Sequence, residues 1–117
     1  MMETGSGRSW TAIEWRLIGK DLLVTVTGGE SPHIGAAALA FLEDGAPTIL
    51  PLQVPGHRER ELACFCAEAL CRAAECTVLV LCGIHIDKAS WEEINLLCAN
   101  AEWLVRRLAE QLRNGNR

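Results

Sequence analysis

The chain carries three histidines, and each stands at a junction marked by glycine or proline. The segments are Gly28-Gly29-Glu30-Ser31-Pro32-His33-Ile34-Gly35, Pro55-Gly56-His57-Arg58-Glu59 and Gly83-Ile84-His85-Ile86-Asp87. Imidazole changes charge near neutral pH and is a common metal ligand. Loops beside rigid elements are also where binding groups concentrate. Gly28, Gly29, Gly56 and Gly83 would let backbone amides approach an anion with no Cβ in the way. Arg58 offers a charged contact, although Arg58-Glu59-Arg60-Glu61 reads first as the solvated opening turn of a helix. Asp87 is spaced to hold one ring nitrogen of His85 and so fix its tautomer. Each segment alone has a plain structural reading, a turn or a surface cap. Their joint placement carries the functional reading.

The elements that must position them follow from periodicity. Ile13, Trp15 and Leu17 alternate with Ala12, Glu14 and Arg16, the period of a half-buried strand, and Gly19-Lys20-Asp21 turns the chain into a second strand over residues 22–27. Gly28-Gly29 is expected to end it. Residues 34–42 read as a third strand and residues 48–54 as a fourth, at a sheet edge because Pro51 has no N–H to donate. After His57 the spacing becomes helical as far as Ala74, with Leu62, Phe65 and Ala69 on the buried face and Glu59 among the wet positions. Residues 77–82 form a short continuous apolar run, expected to be a central strand covered on both faces. Ser90-Trp91-Glu92-Glu93 is a capping box, and Ile94, Leu97, Cys98, Ala101, Leu104, Val105, Leu108 and Leu112 follow as the stripe of a long helix ended by Gly115. The fold class is α/β (α+β): one mixed sheet of about five strands with two helices, in the order ββββαβα.

If the first four strands form a meander, His33 and His57 lie at one rim of the sheet. A helix crossover then returns the fifth strand to it with His85. Both helices begin there, so their unpaired amides and positive dipole ends face the histidines. An anionic ligand is the expected occupant.

Composition bounds the rest. The 117 residues fit one domain, read as a flexible leader over 1–9, a domain over 10–113 and a tail over 114–117. A net charge of −4 argues against nucleic acid, and no apolar run is long enough for a signal or a membrane span. The six cysteines include no Cys-x-x-Cys pair, so they are expected to be reduced thiols in the cytoplasm, mostly buried as small hydrophobes. Cys82, three residues before His85, is the one to watch. Core burial is expected for most of Trp10, Trp15, Trp91 and Trp103.

From about Leu22 to Leu108, the three histidine segments in this order and spacing resemble the prenylated flavin chaperones of the LpdD-like family. The resemblance implies a non-catalytic accessory protein of hydroxyarylic acid decarboxylase systems. It would hold prenylated flavin mononucleotide, with FMN itself as the alternative ligand, and help supply it to the decarboxylase. A flavin prenyltransferase is an implied further partner, and a homodimer is consistent with the family. In this reading Gly28, Gly29, His33, Gly35, Gly56, His57, Arg58, Gly83, His85 and Asp87 hold the cofactor, while Ile34 and Ile84 pack on its ring system. Two other readings compete. Three neutral imidazoles with an open position could hold Zn²⁺ and activate water, which would make the protein a hydrolytic enzyme. Alternatively, the chain is a structural subunit without a ligand, docking through its tryptophans or an apolar face.

Overall fold

A computed structural model describes residues 1–56 and 59–117, so His57 and Arg58 lie outside the described residues. The strands are β1 (Met2–Thr4), β2 (Thr11–Ile18), β3 (Asp21–Gly29), β4 (Ala36–Glu43), β5 (Ala46–Gln53) and β6 (Val78–His85). The helices are α1 (Arg60–Ala74) and α2 (Trp91–Arg113). They form one mixed sheet of order β1-β2-β3-β6-β4-β5 with both helices on one face, an α+β fold.

Six strands stand where five were expected. The added one is β1, within the segment read as a frayed leader; Met2, Glu3 and Thr4 pair antiparallel with Ile13, Ala12 and Thr11. Small polar residues gave no strand period there. The pairing is supported by tertiary contacts, among them Asn100 Nδ2 donating to the Ser9 carbonyl at 3.0 Å.

The expected meander is broken. β6 inserts between β3 and β4, parallel to the first and antiparallel to the second, so the central position expected for residues 77–82 is correct. The strand directions nevertheless match the expectation, because β3, β5 and β6 all end at one rim and β4 begins there. β6 also runs further than expected, through Gly83 and Ile84 to His85, which is therefore the last residue of a strand.

β6 is not covered on both faces. Val78, Val80 and Cys82 are buried beneath the helices, whereas Leu79 and Leu81 face the uncovered side. The buried row of β4 is Ala36, Ala38 and Ala40, and α1 packs over it with Ala63, Cys66, Ala67, Leu70 and Cys71. Small residues on both sides let the helix lie close to the strand. This corrects the expected face of α1, since Leu62, Phe65 and Ala69 only flank it.

α2 starts with the capping box foreseen, Ser90 Oγ accepting from the Glu93 amide at 3.1 Å and Glu93 Oε1 from the Ser90 amide at 3.0 Å. Leu97, Ala101, Leu104, Val105, Leu108 and Leu112 of its stripe are buried, but Ile94, one turn nearer the rim, and Cys98, beside Leu97, are exposed. The tryptophan expectation fails: Trp10 and Trp15 are half-buried, and Trp91 and Trp103 are exposed.

Candidate functional site

The rim gathers two of the three histidines. His33 and His85 meet edge to face, with ring centroids 6.0 Å apart. The β3–β4 connection brings them together by crossing the end of β6, where the His33 carbonyl lies directly over Gly83; a Cβ at that position would overlap it. The connection is pinned by Gly35 donating to the Cys82 carbonyl at 2.9 Å and by Glu30 donating to the His85 carbonyl at 2.8 Å.

Both ring nitrogens of His33 face oxygen atoms. Nδ1 lies 3.0 Å from the Ser31 carbonyl, which can only accept, so Nδ1 carries a hydrogen. Nε2 lies 3.1 Å from Glu59 Oε1. The Glu59 side chain is only 12% exposed. Its Oε2 is buried with no hydrogen-bond partner among the described residues and rests against Gly35, where a Cβ would overlap it. Glu59 was expected to stay wet; instead it stands just before α1, makes no capping hydrogen bond and turns its side chain inward.

Beside this pair, between the first turns of α1 and α2 and the end of β6, is a cavity of about 290 Å³. Leu62 from α1, Ile84 and Ile86 from the end of β6 and its loop, and Ile94 and Leu97 from α2 make its apolar lining. Gly56, Glu59, His85, Ala89 and Cys98 complete it. The unburied start of the α2 stripe therefore marks the cavity wall. Pockets of this type, apolar with a few convergent polar groups, are the usual form of small-molecule sites.

The chain matches the prenylated flavin chaperone LpdD-like domain over residues 5–113. It belongs to that family. No curated protein matches it.

Of the twelve residues singled out from sequence in this LpdD-like chain, His57 and Arg58 lie outside the described residues, and the other ten divide into groups. Gly56, Ile84 and His85 line the cavity. His33 and Gly35 hold Glu59, and Gly83 seats the His33 carbonyl. Asp87 does what its spacing suggests, its Oδ1 lying 3.0 Å from His85 Nε2. Ile34 is 61% exposed and outside the cavity lining. Gly28 packs against the Trp10 carbonyl, and the Gly29 amide is spent on that same carbonyl at 2.8 Å, so this pair serves the protein's own backbone. The rim is also less positive than expected. Arg8 lies 2.7 Å from Glu93 and 2.8 Å from Glu30, and the start of α2 is occupied by the Glu93 carboxylate.

Sequence reading missed Leu62, Ile86, Ala89, Ile94, Leu97 and Cys98 as site residues, and it placed Glu59 in solvent. Ile94 could have been found, since the α2 stripe begins a full turn before the first buried position, Leu97.

Burial works against ionisation of Cys66, Cys71, Cys76, Cys82 and Cys98. Cys66, Cys71 and Cys82 are buried as expected, Cys64 and Cys76 are half-buried, and Cys98 is exposed, against expectation. Burial, with the Glu59 charge second, pushes the Cys82 thiol up to about 12. Burial raises Cys66 well above the usual thiol range and raises Cys98 as well. Among the described residues, which leave out His57, no three His, Cys, Asp or Glu side chains are placed to share an ion. Both ring nitrogens of His33 already have partners in Ser31 and Glu59. Among the described residues, no helix is long and apolar enough to cross a membrane.

Proposed function

We propose that this protein is a non-catalytic carrier that holds prenylated flavin mononucleotide at the rim and helps supply it to a prenylated-flavin-dependent aromatic acid decarboxylase. The observation that carries the reading is the aliphatic cavity of about 290 Å³ beside the His33–Glu59 pair, in a chain of the prenylated flavin chaperone family. An apolar pocket with a polar wall suits a ring system that is hydrophobic on its faces and hydrogen-bonding along one edge. In this reading Leu62, Ile84, Ile94 and Leu97 pack on the ring, and the polar wall of Glu59, His33 and His85 orients it. Gly56, His57 and Arg58, next to Glu59 in the chain, are the residues proposed for the phosphate. A flavin prenyltransferase is the corresponding donor. All six cysteines are free thiols, which suits the cytoplasm.

Retention without turnover is the expected behaviour. After co-expression with a flavin prenyltransferase and anaerobic purification, mass spectrometry should recover prenylated flavin with the protein. Ile84→Trp, which fills the cavity, should abolish that recovery while leaving the fold intact. The bound cofactor should also slow alkylation of Cys98, the exposed thiol in the cavity lining. Protein that emerges without cofactor, or a filled variant that retains it as well as the parent, would reject the reading.

A further inference from the structure

An apolar strip runs out of the cavity onto the surface of α2. Trp91, Ile94 and Cys98 stand at steps of three and four residues, so they share one face of the helix. Ile94 and Cys98 line the cavity. Trp91 is the next member of the strip towards the rim, and it is 75% exposed against 40% for Ile94. The other exposed indole of this helix, Trp103, is covered by Arg107, whose guanidinium lies 4.9 Å from the ring centre. Singly scattered apolar residues are ordinary on a surface, but one continuous with a cavity wall extends that wall.

The cavity itself is small and of one chemical kind. At about 290 Å³ it stands at the lower end of small-molecule sites, and its apolar lining is aliphatic throughout. The one ring among the described lining residues, the imidazole of His85, is already engaged by His33 and Asp87. Leucine and isoleucine suit prenyl carbons, yet they offer no aromatic face on which a flat, conjugated ring can stack. A flavin resting one ring face on that wall leaves the other to water at the mouth, which the exposed residues Gly56, His85, Ile94 and Cys98 border.

We propose, on the strength of the carrier reading above, that Trp91 supplies the missing aromatic face: its indole lies over the flavin ring at the mouth and closes the ring against the aliphatic wall. Its backbone is placed for this. Ser90 Oγ accepts from the Glu93 amide at 3.1 Å, and Glu93 in turn faces Arg8 at 2.7 Å, so the first turn of α2 is held at both the cap and the third position. Trp91 is the first residue of that turn. Long side chains on a helix lean towards its N-terminus, which carries the indole of a first residue towards the rim and not back along α2. The turn is fixed, while three-quarters of the Trp91 surface remains to be buried.

The test uses the full chain, loaded with prenylated flavin by co-expression with a flavin prenyltransferase and kept anaerobic. Mass spectrometry measures the cofactor retained through successive buffer exchanges. Trp91→Ala and Trp91→Leu should each lose cofactor roughly tenfold faster than the parent, the effect of removing an aromatic stacking partner, while Trp91→Phe should stay within about threefold. Trp103→Ala, on the same helix but outside the cavity lining, should match the parent. Loading should also move the indole N–H resonance of Trp91, identified by its absence from Trp91→Phe, further than those of Trp10, Trp15 and Trp103. Trp91 lies outside the core cluster, so loss of fold is not the expected result of any change there, and circular dichroism checks it. A loaded parent whose Trp91 resonance stays in place would overturn the stack and leave the carrier reading standing, as would a Trp91→Leu variant that retains cofactor as well as Trp91→Phe. A parent that emerges without cofactor would overturn both, a case that mass spectrometry reports by itself.

Discussion

At Gly83 a missing side chain sets the shape of the rim. The His33 carbonyl occupies the place a Cβ would take, and at Gly35 the Glu59 carboxylate does the same. Sequence reading offered Gly83 to an anion; the structure gives it to the protein's own backbone, which moves His33 over the end of β6 and within reach of Glu59. Gly83→Ala should therefore act on the site through the loop. Because the obstacle is backbone, the β3–β4 connection must shift, at a cost of about 1–3 kcal/mol. Thermal unfolding should show that loss, and the His33–His85 ring contact should weaken in nuclear magnetic resonance spectra. An alanine variant with parental stability and unchanged histidine resonances would mean that the loop adjusts freely and that Gly83 has no positioning role.

The elements divide cleanly between what local pattern specifies and what it does not. The capping box at Ser90, the strand alternation in β2 and the edge position of a proline-bearing β5 were legible because each rests on residues close in sequence. The insertion of β6 between β3 and β4 was not, since a parallel partner is chosen by long-range packing that no local period records. The site divided the same way. The meeting of His33 with His85 was legible from strand direction alone, while the inward turn of Glu59 depended on the absence of a Cβ at Gly35, two strands earlier in the sequence. The pleat of β4 gives a direct check on the packing. Ala38 is fully buried beneath α1, whereas its neighbour Ala37 faces the uncovered side. Ala38→Leu should cost about 1–3 kcal/mol by forcing α1 off the sheet. Ala37→Ser should stay within about 0.5 kcal/mol. Chemical denaturation of both variants measures the contrast, and equal losses would contradict the one-sided core.

For the molecule as a whole, Arg8 is the tie that makes the N-terminal segment part of the rim. Its guanidinium reaches Glu93 at the start of α2, Glu30 after β3 and the Asp87 carbonyl beyond β6, at 2.7–2.8 Å in each case. Three elements that bound the site are thereby joined to a segment that periodicity left unassigned. The tie depends on pH in a calculable direction. The hydrogen bond from Arg8, followed by that from the Ser90 amide, holds the Glu93 carboxyl at about 2, below its usual 4.5. A carboxyl with a lowered value in the folded state releases its proton more readily there than in the unfolded chain. Its contribution to stability is thus complete above pH 4.5 and is lost as the pH falls towards 2. Other carboxylates titrate over the same range, so a comparison isolates this one. Glu93→Gln keeps an acceptor for the Ser90 amide but loses the charge facing Arg8. The parent should melt at a higher temperature than Glu93→Gln at neutral pH, and the gap should close on acidification through that window. Melting curves that stay a constant distance apart from neutrality down to pH 2 would show that Arg8 fastens the rim without help from the Glu93 charge.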